Sequence, residues 1–287
     1  MAASMGLIDF LLNLACLFLW IGFRASWFPA GPRPDSESGV TLRSTLRRAD
    51  SPERRRWSWL IAIVAILLVR AFLYLQLGPA VQWAPQFRLG VIVLHLRVDS
   101  PAASLWCSVL GFALFWIVFH FWLVLFSIVN AKLPAHDTVQ RLVRLHLGHF
   151  DRLPSLAKLA AALAGVALVW WLANDTLAKA GAVPAALSAS QIWMQGLVLG
   201  MGAVCSWKWP VTAVLLAYVV SSYVYFGEAA SWRWVEASAK NLLGPLHRLP
   251  LRAGRVDFTP VAGIALAWLA AHFGERWLTE LFQRLVA

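Results

Sequence analysis

Of 287 residues, 60% are hydrophobic and only 14% are charged, against about a quarter charged in a soluble domain. That composition, with a positive mean hydropathy, excludes a soluble globular protein and predicts an all-α polytopic membrane protein. The formal charge of +11 sits in short loops between apolar stretches, where it sets topology; it does not form the continuous basic face of a nucleic-acid binder, so no nucleic-acid partner is expected.

Crossing about 30 Å of hydrocarbon takes roughly 20 helical residues. Runs of that size stand at about 6–23, 57–77, 104–130, 156–173 and 260–283, the last polar at its end through Glu275, Arg276 and Glu280. The first run has no basic residue ahead of it, carries Asp9 near its start and is followed by Arg24, so a cleaved signal peptide is not expected. A sixth region, 188–226, is long for one straight crossing and short for two, with Lys208 and Pro210 in its middle. Basic residues in short loops stay cytoplasmic. Residues 24–56 hold eight Arg, 131–158 five Lys or Arg and 227–257 five, whereas 78–103 hold two and 174–187 one. The three basic loops then share the cytoplasmic side of the cell's inner (plasma) membrane. The N-terminus lies outside and region 188–226 crosses once in net terms, bent at Pro210, for about six crossings in all. Two full crossings of 188–226 are the alternative.

The Arg-rich loop 24–56 reads as a solvated connection. At 84–99, β-branched residues around Gly90 break any helical pattern and predict a small hairpin at the outer surface. Trp57, Trp59, Trp106, Trp170, Trp171, Trp207, Trp209, Trp232 and Trp234 fall near run ends, where indoles anchor at headgroup level. Cys16, Cys107 and Cys205 lie inside apolar runs without partners at metal or redox spacing and read as buried hydrophobes.

Two stretches share one pattern: GHFDRLPSLA at 148–157 and GRVDFTPVAG at 254–263, each between a basic loop and an apolar run. A helix entering lipid must satisfy its first four amides, and an Asp at the N-cap does so while favouring the positive helix end. Asp151 and Asp257 are the expected caps, with Pro154 and Pro260 three residues on, where Pro removes no intrahelical bond. For the second copy, Thr259 as cap with Pro260 at the first helical position is an equal scheme, in which Asp257 braces the preceding turn. Gly148 and Gly254 would supply the positive φ of the bend. Upstream, 137–151 and 240–257 read as amphipathic interfacial segments, the first presenting Val139, Leu142, Val143 and Leu145 as its apolar side. The repeated unit is span, interfacial helix, capped turn, span. Three regions follow: 1–102 with two spans, 103–175 and 186–287.

These residues resemble the YggT family, also called YlmG, of small bacterial and plastid membrane proteins. Asp137, Arg141, Arg144, Gly148, Asp151 and Pro154 match its unit in the first copy; Pro245, Arg248, Gly254, Asp257, Thr259 and Pro260 match in the second. The first copy lacks both upstream Pro and has Leu153 where Ser or Thr is usual; Lys240, Asn241 and Gly244 replace the usual Asp, Pro and Arg in the second. The resemblance covers about 103–285. It implies a role in osmotic tolerance, in envelope or division organisation, or in membrane-complex assembly.

No nucleophile elbow, phosphate loop, zinc-protease motif or carboxylate pair is present, so neither enzymatic activity nor a cofactor is expected. Arg141, Arg144, Arg248 and Arg252 are the candidate contacts to anionic headgroups or to another membrane or cytoplasmic protein. His146 and His149 have helical metal spacing without a third ligand and read as ordinary interfacial histidines. Inside the apolar runs stand Asp9, Arg70, His120 and Lys208. Arg70 is predicted to meet Asp9, because buried charges need partners. His120 reads as a satisfied helix contact. Lys208 either snorkels or lines a polar cavity at a broken helix; the latter would suit a channel or transporter for a small ion or solute, the competing reading of function.

Overall fold

A computed structural model describes residues 2–26, 52–81, 86–89, 92–95, 100–134, 137–179, 183, 188–224, 227, 229–246, 251–253 and 256–286. The fold is helical. In chain order it comprises α1 (Ala2–Ala25), α2 (Pro52–Val81), strands β1 (Gln86–Leu89) and β2 (Ile92–His95), α3 (Pro101–Val129), α4 (Thr138–Leu147), a 3-10 turn (Gly148–Arg152) and α5 (Ser155–Lys179). Then come α6 (Ala189–Cys205), α7 (Lys208–Tyr223), α8 (Ala230–Leu243), strands β3 (Arg252–Ala253) and β4 (Val256–Asp257), and α9 (Thr259–Val286). β1 and β2 pair antiparallel with Leu89 opposite Ile92. Most of the Arg-rich loop lies outside the described residues.

Among the described residues, five helical stretches are long and apolar enough to cross a membrane: Gly6–Ala25, Trp57–Gln76, Pro101–Val129, Ser155–Lys179 and Ala189–Tyr223. They mark a multi-pass membrane protein. The set differs from the five runs picked out in the sequence. Residues 189–223 qualify as one stretch, whereas α9 does not, because His272, Glu275, Arg276, Glu280 and Arg284 fill its second half.

The chain forms two compact units, one of Met1–Trp83 with Val98–Phe112 and one of Ala84–Arg97 with Ala113–Ala287. The second unit holds residues 113–175 and 186–287 together, while residues 103–112 belong to the first. In the first unit α1 packs on α2, with Cys16, Ile63, Ala71, Tyr74 and Cys107 buried. A Cβ on Gly22 would stand 3.1 Å from the Trp59 ring, so the glycine makes room for the indole.

The second unit has two apolar centres. Phe121, Val166, Trp170, Leu199 and Ala203 form one, with Phe282 packed against it; Val214, Leu215, Trp234, Ala239 and Leu243 form the other. Helices α5 and α6 approach very closely, since a Cβ on Gly196 would lie 2.6 Å from Ala167 Cα and one on Gly200 2.9 Å from Leu163. This is the small-xxx-small packing by which membrane helices associate. Several tryptophans near run ends are core donors and not surface anchors: Trp170 bonds Gln195, Trp207 bonds the Phe121 carbonyl and Trp234 bonds Gln140.

The break between α6 and α7 falls at Ser206–Trp207, three residues before Pro210 at its nearer edge. Pro210 has no amide to give to the Ser206 carbonyl and its ring crowds that group. Trp209 N donates to Ser206 O instead, at 3.1 Å, while Ser206 N and Trp207 N reach Ala203 O and Val204 O at 3.1 and 2.9 Å. The ladder tightens here without leaving these donors bare. Helix α9 runs antiparallel along both halves: Gln191 bonds the Leu285 carbonyl, Cys205 Sγ abuts Gly274, Thr212 accepts from Trp268, and Leu215 abuts Gly263. The chain thus continues in one direction through the break.

The second amphipathic helix is α8, Ala230–Leu243, so it starts ten residues earlier than the 240–257 segment expected from sequence. Only its last turn overlaps that segment. The acceptance of polar groups at Ser238 and Trp234, both buried by partners on α3 and α4, obscured its pattern.

Candidate functional site

The two elbows meet at one end of the second unit. Helix α4 starts where the Asp137 carboxylate accepts from Val139 N and Gln140 N, each at 3.0 Å. Its inward side carries Gln140, Val143 and His146, all buried, while Leu142 is 37% exposed; the face is rotated from the purely apolar one read in the sequence. The two polar residues each make a bond there through one atom. Gln140 Oε1 accepts from Trp234 Nε1 on α8 at 3.3 Å, and His146 Nδ1 lies 2.9 Å from Leu142 O. Asn130, at the end of α3, donates to Ser238 at 2.7 Å and accepts from Asn241 at 3.2 Å. Helices α4 and α8 are thereby tied to each other and to α3.

Asp151 is the hub of this layer, not a helix cap. Its Oδ1 accepts from Ser127 Oγ at 2.5 Å and lies 3.4 Å from Lys158 Nζ, and its Oδ2 lies 3.3 Å from Arg144 Nε. Lys158, 5% exposed, also donates to Ser127 Oγ at 2.7 Å. The carboxylate is drawn inward by two cations and a hydroxyl, which outweigh the few amides that a cap would satisfy. Helix α5 begins instead with Lys158 N bonded to Pro154 O at 3.0 Å. Gly148 does supply the bend, at φ +58°; a side chain there would be strained.

The second turn is built differently, as the strand pair Arg252 with Asp257 and Ala253 with Val256. Asp257 Oδ1 accepts from Thr259 N at 2.9 Å and Thr259 Oγ1 at 2.5 Å, from two residues ahead of the helix. The first bond of α9, Ala262 N to Phe258 O at 3.0 Å, makes Phe258 the cap. The second scheme holds in part: Asp257 braces the turn as that scheme has it, but the cap is one residue earlier, and Thr259 and Pro260, both buried, are already helical. The element order of the two elbows matches while their carboxylates do different work. Gly254 and Arg248 lie outside the described residues, and of Arg252 only the backbone is described.

Among the candidate contact residues, Arg141 is exposed, but Arg144 is committed inward, since besides Asp151 it donates to Leu133 O at 2.8 Å. Arg152, absent from the candidate contacts read in the sequence, and His149, expected at the interface, are both exposed beside Phe150, Leu153 and Leu156, which are 50%, 39% and 82% exposed. On the outer side of α8, Glu236 accepts from Lys240 at 2.6 Å and raises the lysine's pKa through that bond.

In the first unit the structure brings Asp9 and Arg70 together. Arg70 is 1% exposed; its Nε donates to Asp9 Oδ1 at 2.7 Å and Tyr74 Oη at 2.6 Å, and its Nη1 to Asn13 Oδ1 at 2.7 Å and Ser108 O at 3.3 Å. Tyr74 in turn donates to Asp9. Asn13, Tyr74 and Ser108 had given no signal in the sequence beyond their place in apolar runs. In the second unit His120 is a helix contact, its Nδ1 2.9 Å from Trp116 O and its ring 3.9 Å from that indole. Lys208 donates to Glu275 Oε1 at 2.7 Å and lies 5.2 Å from the Trp268 ring centre. The pair lines a cavity of about 360 Å³ whose other walls include Ile117, Leu199, Ser206 and Trp209. Glu275 had been read only as the polar tail of a span. Among the described residues no group of three His, Cys, Asp or Glu is placed to hold a metal ion.

Comparisons with known protein families, curated proteins and solved structures give no match for this chain. The functional reading rests on its own geometry.

Proposed function

We propose that this is a non-enzymatic inner-membrane protein of YggT type, whose elbow layer docks on anionic lipid headgroups and so helps to organise the envelope or a membrane complex. One observation carries the reading. The Asp151 network holds Arg144 and Lys158 inside, while Arg141, His149 and Arg152 stand exposed beside Phe150, Leu153 and Leu156. Cations next to apolar groups on a fixed surface suit an anionic bilayer interface. In this topology α1, α2, α3, α5, the α6–α7 rod and α9 make six crossings, the elbows are cytoplasmic and the β1–β2 pair lies outside. The antiparallel run of α9 along both halves of the rod supports a single crossing there.

Native mass spectrometry of the purified protein with phosphatidylglycerol and phosphatidylcholine tests the docking. The double variant Arg141→Glu with Arg152→Glu should lose most of the phosphatidylglycerol that the parent retains, with phosphatidylcholine unchanged. Equal retention by parent and variant refutes it. The cavity at Lys208 and Glu275 favours a second reading, a path for a small ion or solute at a broken helix. Flux through liposomes that Lys208→Met abolishes would establish that reading instead.

A further inference from the structure

The second half of α9 sets charge where its neighbours are apolar. Phe282 packs against the centre that contains Trp170 and Leu199, and Gln191 bonds Leu285, so residues 272–285 lie beside α6. Gly196 and Gly200 fix α5 against α6 at the same level. The outward side chains of that pair are Leu168, Val169, Leu172, Met194, Leu197 and Met201, a surface made for hydrocarbon. Yet His272, Arg276 and Glu280, one turn apart along α9, are exposed at this level, and among the described residues no hydrogen bond or ion pair within the chain engages Arg276 or Glu280. Beside them Phe273 and Trp277 are 61% and 62% exposed. Arg and Glu facing acyl chains unpaired are strongly disfavoured, so the stripe calls for a polar cover.

We propose that the cover is a second copy of this chain, packed through α9. The stripe complements itself: Arg276 and Glu280 carry opposite charges at a spacing of one helical turn. Two copies in one membrane are related by an axis along its normal, so their α9 helices run parallel. Arg276 of each then meets Glu280 of the other, giving two equivalent ion pairs flanked by Phe273 and Trp277. Another protein partner would need a matching stripe of its own; a second copy already has it. The inference rests on α9 crossing the membrane, but not on lipid docking by the elbows.

The test is the dimer fraction of the full chain in phosphatidylcholine nanodiscs or mild detergent, read by native mass spectrometry. The parent should be dimeric. Arg276→Glu alone and Glu280→Arg alone each place like charges together and should weaken self-association by about tenfold or more. The combined swap, Arg276→Glu with Glu280→Arg, restores the pairing and should restore the dimer. Because both side chains are exposed and unengaged within the chain, the variants keep the monomer's own contacts, checked by their unchanged melting. A monomeric parent, indifference to either single reversal, or a swap that fails to rescue each overturns the proposal. The Arg141→Glu with Arg152→Glu variant should keep a full dimer fraction, which separates this result from failure of the docking reading.

Discussion

Replacing Gly196 with alanine isolates the contact that holds α5 to α6. The added Cβ would stand 2.6 Å from Ala167 Cα, 3.1 Å from its Cβ and 3.2 Å from its carbonyl oxygen, whereas carbon atoms rest at about 3.5–4.0 Å. The nearest obstacle is backbone, so no rotamer change relieves it and the helices must part by about 1 Å. Overpacking of that kind costs about 1–3 kcal/mol. Parting also stretches the bond from Trp170 Nε1 to Gln195 Oε1, 3.2 Å long, and an interhelical bond in a membrane contributes about 0.6 kcal/mol. The expected loss is about 2–4 kcal/mol in all, read from unfolding in mixed micelles as dodecyl sulfate is raised. Gly165 is the control, also helical but with nothing within 4 Å of its added Cβ; alanine there should be neutral or gain up to about 1 kcal/mol through helix propensity. Equal stability of the two variants, or a Gly196→Ala protein as stable as the parent, refutes the claim that backbone contact sets this interface.

Two further outcomes follow from the polar clusters. Asp9→Ala leaves the Arg70 guanidinium buried without its counter-charge and should cost about 3–5 kcal/mol, most of it recovered when Arg70→Met is added; the same micelle titration checks both. Asp151→Ala strands the buried Lys158 and should cost a similar amount, about 3–5 kcal/mol, whereas Asp257→Ala removes only a turn brace and should cost about 0.5–2 kcal/mol. Equal losses would mean that the two elbows are built alike after all.

Sequence periodicity exposes what lipid demands and hides what partners permit. The apolar runs of α1, α2, α3 and α5 were legible because their length answers to the bilayer, and the meeting of Asp9 with Arg70 was legible because a charge in such a run must be matched. Asp151 was misread for a physical reason: cap and hub present the same residue type at the same spacing. What separates them is Ser127, 24 positions earlier, and the buried Lys158, which only the fold brings near. Helix α8 was displaced in the reading because its buried face includes Ser238, admissible only through Asn130. The spacing of Gly196 and Gly200 was a plain signal for close helix approach and could have been used. Arg144 was assigned to the surface by its charge alone, yet Asp151 and the Leu133 carbonyl turn it inward.

The salt link at the interrupted rod imposes an order on assembly. Lys208 leaves the ribosome 67 residues ahead of Glu275, so for that stretch of synthesis its ammonium lacks the carboxylate it pairs with in the fold. The broken pair α6–α7 is provisional until the last helix is laid along it, and the final helix acts as a splint as well as a strut. A nascent chain halted before α9 would hold the same apolar segments but lack the carboxylate that neutralises the lysine.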